Sequence, residues 1–400
     1  MDLVSHLRDA KWLDGQRVRG YAVLLGIASL ALLANSYIKA MTPTGSDFLA
    51  FWGAGHVTVA GDPAAAYDLA VQEAVQTGPA TGIEAKGFFA FVNPPPFLFA
   101  TAPFGALPFP LAWIAWVVFG YALWAWAAIR AFPRLWPIVL VFPGALVAAG
   151  HAQAGLLTGA LLVGAVATLD RRPVLSGALI GALIVKPHLA LLLPFWLAAG
   201  GRWKVFCAAG ASVIALLLAS WAVFGTETML AYPTSWAASA QIMATGDDAF
   251  HLRMATIYGQ LRLFLPATPA LAINVAVALG MLVLVLRSWK AFGQDGMATG
   301  ALVLAATALA SPYLFNYDLP FLVLPVLWLV QQGLARGFFP WEKLLLVALF
   351  LAPYATRAAA LPLHLNLMPP AAALLVWLVW RRGSEGSPEL PSLAKAGERA

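Results

Sequence analysis

Charged side chains are scarce in this sequence, and cysteine is almost absent. Asp, Glu, Lys and Arg make up 10% of the 400 residues, against 61% hydrophobic residues, and Cys207 is the single cysteine. Because a soluble domain of this size cannot cover so much apolar surface, the composition indicates a membrane protein. One cysteine excludes intramolecular disulfides, zinc sites made of several cysteines, and redox chemistry of cysteine pairs.

Motifs of several common functions are also missing. The sequence has no P-loop, no glycine-rich dinucleotide motif, no HExxH and no GxSxG. Nucleotide-driven transport and the common serine or zinc hydrolases therefore lose their usual support. The net charge of +6 does not indicate a nucleic-acid partner, because the basic residues stand in short loops at the ends of apolar segments.

Long apolar runs are what the sequence has in abundance. The run from Gly20 to Ala40 has about 20 residues, which matches the ~30 Å hydrocarbon core at 1.5 Å per residue. With the apolar segments that follow, we expect about 12 transmembrane helices, in a range of roughly 10–13. The predicted fold class is an all-α polytopic membrane protein.

Basic residues such as Arg171 and Arg172 follow every second apolar segment, which predicts that these ends and both termini are cytoplasmic. The opposite ends carry a first outer loop, residues 41–93, and a second, residues 225–266. Residues 93–109 hold too many prolines for a simple helix, which predicts a broken or re-entrant element. The predicted divisions are a cytoplasmic segment 1–19, a single membrane domain 20–380 and a disordered cytoplasmic tail 381–400.

One acid follows the first apolar segment closely. Asp47 precedes Phe48, Phe51 and Trp52, whose i, i+3, i+4 spacing predicts a short amphipathic helix on the membrane surface. Asp47 then either caps this helix, as aspartate commonly does, or takes part in catalysis. Asp68 in the same loop allows the same two interpretations, and there the structural one is favoured.

Other polar residues stand between apolar segments. Lys186 and His188 lie where a lysine is costly unless it meets an anion, faces water or extends to the interface. His151 and Gln153 suit binding of sugar hydroxyls or phosphate, or simply a bond to a neighbouring helix.

Two more polar clusters occur later in the chain. Asn316 and Asp318 begin a segment, where Asp318 either caps a helix or faces a cavity. Arg253 follows the adjacent acids Asp247 and Asp248, whose oxygens suit a divalent cation, although such pairs are more often solvated. We therefore predict no metal site and no certain cofactor, and leave a divalent cation open.

Six motifs occur in an order that resembles glycosyltransferase family 87. Between about residues 45 and 330 they read SDFLAFWGAGHVTVAGDPAAAYD, VNPPPFLFATAPFGALPF, GHAQAGLLTGALL, KPHLALLLPF, RMATIYGQLRLF and SPYLFNYDLPFLVLP. The resemblance implies a GT-C-like bundle whose large first extracytoplasmic loop bears short interfacial helices. It also implies a hexosyltransferase that moves a sugar, with mannose as the first guess, from a polyprenyl-phosphate donor to a glycolipid or glycan acceptor. The reaction would take place on the extracytoplasmic face of a bacterial plasma membrane.

The resemblance assigns a catalytic role to Asp47, which matches the acid of the family's first outer loop. An inverting transfer needs a base for the acceptor hydroxyl and cations for the leaving phosphate. We therefore predict Asp47 as the base and Lys186 as the first phosphate ligand, with His188, Arg253 and His151 as further candidates. The predicted sugar or acceptor contacts are Trp52, Tyr67, Asp68, Gln153, Asn316 and Asp318.

Two other functions stay open. A transporter or lipid flippase also uses intramembrane charges and discontinuous helices, but it predicts matching broken segments in two halves of the chain, which the sequence does not show. A non-catalytic scaffold subunit predicts that Asp47→Asn is tolerated. An enzyme does not tolerate this change, because asparagine keeps the shape of the side chain but cannot act as a base.

Overall fold

The computed structural model describes residues 3–385, apart from the side chains of residues 238, 242, 244 and 245. Over this part of the chain it contains helices and no β-strand, with one isolated β-bridge between Met254 and Phe315. The predicted all-α class is confirmed. The predicted tail begins too early, because α20 continues to Ser384; the rest of that prediction, from residue 386, lies outside the described residues.

The α-helices are, in chain order, α1 Leu3–Asp9, α2 Gly15–Ala40, α3 Phe48–Val59, α4 Leu69–Thr77, α5 Leu98–Gly105, α6 Phe109–Ala131, α7 Trp136–Val139, α8 Pro143–His151, α9 Gly155–Thr168, α10 Pro173–Gly181, α11 Leu193–Ala199, α12 Trp203–Ala231, α13 Thr234–Thr245, α14 Asp248–Arg253, α15 Ile257–Leu261, α16 Ala267–Ala291, α17 Gly296–Ala310, α18 Val323–Arg336, α19 Glu342–Leu363 and α20 Met368–Ser384. Short 3-10 helices are Pro63–Tyr67, Pro79–Thr81, Pro95–Phe97, Pro133–Leu135, Ala182–Val185, Pro187–Ala190 and Asn316–Leu322.

Six helices within residues 3–385 are long and apolar enough to cross a membrane, and a bent pair makes a seventh if it is counted as one span. The six are Gly15–Ala40, Phe109–Ala131, Trp203–Ala231, Ala267–Ala291, Asn316–Arg336 and Glu342–Leu363, and the bent pair is Pro133–Val139 with Pro143–His151. Other apolar helices have only 10–17 residues, too few for the ~30 Å core at 1.5 Å per residue. The predicted count of about 12 is therefore not confirmed.

Helix α3 is buried on nearly all sides. Phe48, Phe51 and Trp52 are each at most 3% exposed, and a Cβ added to Gly55 would lie 2.4 Å from the Thr101 carbonyl oxygen of α5. The prediction of an amphipathic helix on the membrane surface is wrong here, because the opposite face of α3 is apolar too. The Pro-rich element is broken as predicted, into the 3-10 turn Pro95–Phe97 and the short helix α5.

Glycines allow the 3-10 helix Asn316–Leu322 to lie against α8 and α9. A Cβ at Gly144 would come within 3.1 Å of the Leu319 carbonyl oxygen, and a Cβ at Gly155 within 1.8 Å of that of Tyr317. At Gly155 only glycine permits this approach of one backbone to another, and at Gly144 a larger residue would be tightly crowded. This packing fixes the segment that carries Asn316 and Asp318.

Several of the predicted cytoplasmic loops meet at one end of the bundle, which we call the basic end. Its contacts include a buried ion pair between Arg382 and Glu342 and the 2.9 Å pair of Arg202 with Asp170. Lys343 donates there to the carbonyl oxygens of residues 10 and 13. The side of the membrane that this end faces stays a prediction.

Candidate active site

A cavity of about 580 Å³ lies where the first outer loop meets α8, α14, α19 and the segments around residues 186 and 316. Cavities with a few converging polar groups are the usual form of ligand sites. Most of the predicted site residues line this cavity, namely Asp47, His151, Gln153, Lys186, His188, Arg253 and Asn316. The structure brings them together, while their individual roles stay predictions.

The carboxylate of Asp47 faces this cavity. Asp47 occupies the N-cap position of α3, yet its side chain makes no capping hydrogen bond, and the Ser46 hydroxyl oxygen accepts from the Phe48 N–H instead. Asp47 Oδ2 accepts a 3.2 Å hydrogen bond from Gln153 Nε2 and lies 3.9 Å from His151 Nδ1. The capping interpretation of Asp47 is therefore wrong.

A sharp turn after α8 directs both Asp47 partners into the cavity. Ala152 ends α8 with φ 47° and ψ 39°, a left-handed conformation that reverses the chain between His151 and Gln153. The Gln153 side-chain oxygen accepts from the Ala154 N–H at 3.3 Å, so its NH₂ group is the end that turns toward Asp47. The GHAQAG motif thus supplies two possible donors to one carboxylate.

Lys186 forms a tight ion pair beside the cavity. Its Nζ lies 2.6 Å from Asp318 Oδ1, and Asp318 Oδ2 accepts from the Phe315 N–H at 3.1 Å. The ammonium also lies 5.3 Å from the centre of the Tyr317 ring. Asp318 is fully buried, so the pair compensates the lysine charge and joins two segments that are distant in sequence.

Two arginines of the cavity have no such partner. Arg253 at the end of α14 and Arg357 in α19 both line it, and neither forms a hydrogen bond or an ion pair within residues 3–385. They are close enough to act electrostatically on one another, and Arg357 also interacts in this way with Asp47. Sequence reasoning missed Arg357, although a charge inside an apolar helix is itself a signal of a functional site.

Three predicted sugar contacts lie elsewhere. Trp52 Nε1 donates to the Leu107 carbonyl oxygen at 2.9 Å. The buried Tyr67 hydroxyl donates to the Asn93 carbonyl oxygen, and burial raises the pKa of Tyr67, so the hydroxyl keeps its proton. Asp68 caps α4 by accepting from two N–H groups. None of the three lines the cavity, so their expected roles in a sugar site have no support in the geometry.

The acids of the second outer loop do not form a metal centre in the described part of the chain. Asp247 caps α14 by accepting from the Phe250 N–H at 2.8 Å. Over residues 3–385, no three His, Cys, Asp or Glu side chains are grouped as metal ligands. The need for a divalent cation stays a matter for experiment.

A second, apolar groove of about 320 Å³ adjoins the cavity. Gln153 lines both of them, so the groove reaches the residue that bonds to Asp47. The other side chains of its wall come from α5, α6 and α9 and include Phe99, Pro103, Phe104, Trp116, Phe119 and Leu156. The broken Pro-rich element therefore forms one side of this groove.

Comparison with known proteins gives one finding. The sequence profile of glycosyltransferase family 87 matches residues 91–312, just over half of the chain, which includes Gln153, Lys186 and Arg253 but not Asp47 or Arg357. Comparisons with curated proteins and with solved structures gave no significant match. On the strength of this profile and of its apolar helices, the chain belongs to glycosyltransferase family 87 and is a membrane glycosyltransferase.

Proposed function

We propose that the protein transfers a sugar from a polyprenyl phosphate to a hydroxyl of a lipid or glycan acceptor, with Asp47 as the general base. The observation that carries the proposal is the Asp47 carboxylate, which faces the cavity although it stands at a capping position. Mannose is the first sugar to test. The proposal includes a GT-C-like fold and an active site on the extracytoplasmic face of a bacterial plasma membrane, with cytoplasmic termini.

Asp47 has the contacts that a base needs. Gln153 holds one carboxylate oxygen, and the other accepts no hydrogen bond within residues 3–385, so it is available to an acceptor hydroxyl. In the proposed step this oxygen takes the hydroxyl proton while the acceptor oxygen forms a bond to the anomeric carbon. The bond from that carbon to the phosphate oxygen breaks on the opposite face, which inverts the configuration.

The leaving phosphate fits the two unpartnered arginines better than Lys186. Asp318 already compensates the Lys186 charge at 2.6 Å, whereas Arg253 and Arg357 line the same cavity without an ion-pair partner among residues 3–385. Guanidinium groups bind phosphate through two parallel N–H donors. We therefore place Arg253 and Arg357 before Lys186 as phosphate ligands, where they stabilise charge on the departing oxygen.

The apolar groove supplies a place for the polyprenyl chain. Its wall is almost entirely aromatic and aliphatic, and it meets the cavity at Gln153. A donor with its phosphate at the arginines and its chain in the groove would present the anomeric carbon near Asp47. A soluble nucleotide sugar has no group that fills such a groove.

The test is sugar transfer by the purified protein in lipid vesicles. We would offer labelled mannose, glucose, galactose and arabinose on short polyprenyl phosphates, the matching nucleotide sugars as controls, and membrane-extracted acceptors, with and without EDTA. Transfer from a polyprenyl phosphate with inverted configuration supports the proposal. Transfer from nucleotide sugars alone, or movement of labelled lipid across the bilayer without any transfer, would contradict it and favour a different donor or a flippase.

A further inference from the structure

Asn316 is a buried amide without a partner. Its side chain lines the cavity, the residue is 3% exposed, and neither its Oδ1 nor its Nδ2 forms a hydrogen bond within the described chain. Buried polar groups in folded proteins nearly always have partners, so each exception needs an explanation. A ligand that brings both a donor and an acceptor would satisfy this amide.

His188 shows the same property on the neighbouring segment. Its ring lines the cavity, and its buried Nε2 has no hydrogen-bond partner in the described residues. The ring packs perpendicular to that of Tyr313, with 5.3 Å between the centroids. Neutral imidazole offers one acceptor or one donor at this nitrogen. Like Asn316, His188 presents an unused hydrogen-bonding atom to the space where a ligand would lie.

The ion pair of Lys186 with Asp318 joins these two residues into one wall. His188 lies two positions after Lys186, and Asn316 lies two positions before Asp318, so the 2.6 Å pair holds both segments at the same place. The fold itself does not use the amide of Asn316, because Asp318 and the glycine contacts of Gly144 hold this 3-10 helix. Other contacts thus hold the segment of Asn316, and the Asn316 amide and His188 Nε2 have no hydrogen-bond partner within the described chain.

We propose that Asn316 and His188 determine sugar specificity by hydrogen-bonding to adjacent hydroxyl groups of one sugar ring. A hydroxyl both donates and accepts, which matches the amide, and a second hydroxyl beside it matches the imidazole nitrogen. In this proposal His188 binds the sugar, and Arg253 and Arg357 bind the phosphate. The proposal rests on the proposed function for the identity of the ligand as a sugar.

Recognition of this kind has a measurable signature. A site built to hydrogen-bond a hydroxyl rejects an analogue that lacks it, because its buried polar groups are then left unpaired. We expect removal of one hydroxyl from the preferred sugar to weaken binding to the wild type by at least about tenfold. The same deletion should have almost no effect on binding to Asn316→Leu.

The experiment measures binding rather than transfer, so it works whether or not the protein is an enzyme. The probes are octyl mannoside, glucoside and galactoside with their monodeoxy derivatives, followed by saturation-transfer NMR and by melting temperature on the full chain in nanodiscs. Asn93→Leu is the matched control, since Asn93 lines the same cavity but its amide donates to the Val185 carbonyl oxygen at 3.0 Å.

The proposal expects Asn316→Leu to melt at or above the wild-type temperature without ligand, while Asn93→Leu melts lower. It also expects Asn316→Leu and His188→Phe each to stop distinguishing a sugar from the derivative that lacks one particular hydroxyl. The hydroxyl concerned should differ between the two variants, and the two hydroxyls should be adjacent on the ring. A lower melting temperature or failure to fold for Asn316→Leu would assign the amide a structural role and overturn the proposal. So would unchanged discrimination, or a wild type that does not distinguish the probes. Absence of transfer alone would count only against the proposed function.

Discussion

The two ends of the helix bundle differ in whether their arginine and lysine side chains have partners. At the basic end, Arg382 Nε donates to Glu342 at 2.8 Å and Lys343 donates to backbone carbonyl oxygens. At the cavity end, Lys186 pairs with Asp318, but the exposed Arg253 and the half-buried Arg357 lack ion-pair partners among the described residues. Charges that only maintain a fold are normally paired when buried. The difference indicates that the charges of the basic end contribute to stability, whereas the cavity end has charge available for a ligand, above all at the half-buried Arg357.

The largest effect that we expect at the basic end is on stability. Glu342→Gln leaves Arg382 as a buried guanidinium without a counter-ion, which costs about 3–5 kcal/mol of unfolding free energy. We would measure melting in detergent, with transfer per folded molecule as the second readout. Asp170→Asn is the control, because its pair with Arg202 is half-exposed and such pairs contribute roughly 0–1 kcal/mol. A large loss of transfer per folded Glu342→Gln protein would contradict the comparison.

Substituting an arginine of the cavity should weaken ligand binding and leave stability almost unchanged. We expect Arg357→Gln to weaken binding of a polyprenyl phosphate about 10- to 100-fold, since a hydrogen bond to a charged group contributes about 1.5–3 kcal/mol. The melting temperature of the free protein should stay close to that of the wild type. Competition by farnesyl phosphate against a labelled donor measures the effect. Arg262→Gln is the control, because Arg262 donates to the Leu265 carbonyl oxygen and does not line the cavity.

A substitution at Gly155 should displace the segment that carries Asn316 without changing any polar side chain of the cavity. Gly155→Ala places a methyl group against the Tyr317 carbonyl oxygen, and such overpacking costs about 1–3 kcal/mol. We expect it to lower transfer by displacing the segment that carries Asn316. Gly280→Ala in α16 is the matched control, because a Cβ there meets nothing within 4 Å. Equal transfer by the two variants would show that this segment does not position the site.

The smallest effect concerns a helix cap. Asp68→Ala removes the acceptor of two N–H groups at the start of α4, which typically costs about 1 kcal/mol. We expect a slightly lower melting temperature and unchanged transfer by the folded protein. If the transfer rate fell strongly while the melting temperature stayed unchanged, the result would support the prediction that Asp68 contacts the sugar.

Much of the site could be predicted from residues that are unusual in an apolar sequence. Asp47, His151, Gln153 and Lys186 were found in this way, and the cavity brings them together. The pairing of Lys186 with Asp318 could not be predicted, because the two residues are 132 positions apart. Arg357 was missed because hydropathy ends this apolar segment near residue 356 and predicts a loop after it, whereas α19 continues to Leu363.

The fold was predicted at the level of class and less well in detail. The i, i+3, i+4 pattern of α3 suggested one apolar face, but Leu49, Ala50 and Ala54 make the other face apolar as well and bury the helix. Hydropathy also cannot separate a full span from a short buried helix such as α17 Gly296–Ala310. This explains why about 12 transmembrane helices were expected, whereas within residues 3–385 six helices, or seven with the bent pair, meet the length of a span.

The most direct test of the account is the rate of sugar transfer by Asp47→Asn, measured beside the wild type at equal amounts of folded protein. Because Asp47 makes no capping bond, asparagine should leave the melting temperature unchanged. Loss of the base should lower the rate about 10²- to 10⁴-fold. A variant that transfers sugar at the wild-type rate would show that the carboxylate facing the cavity is not the base.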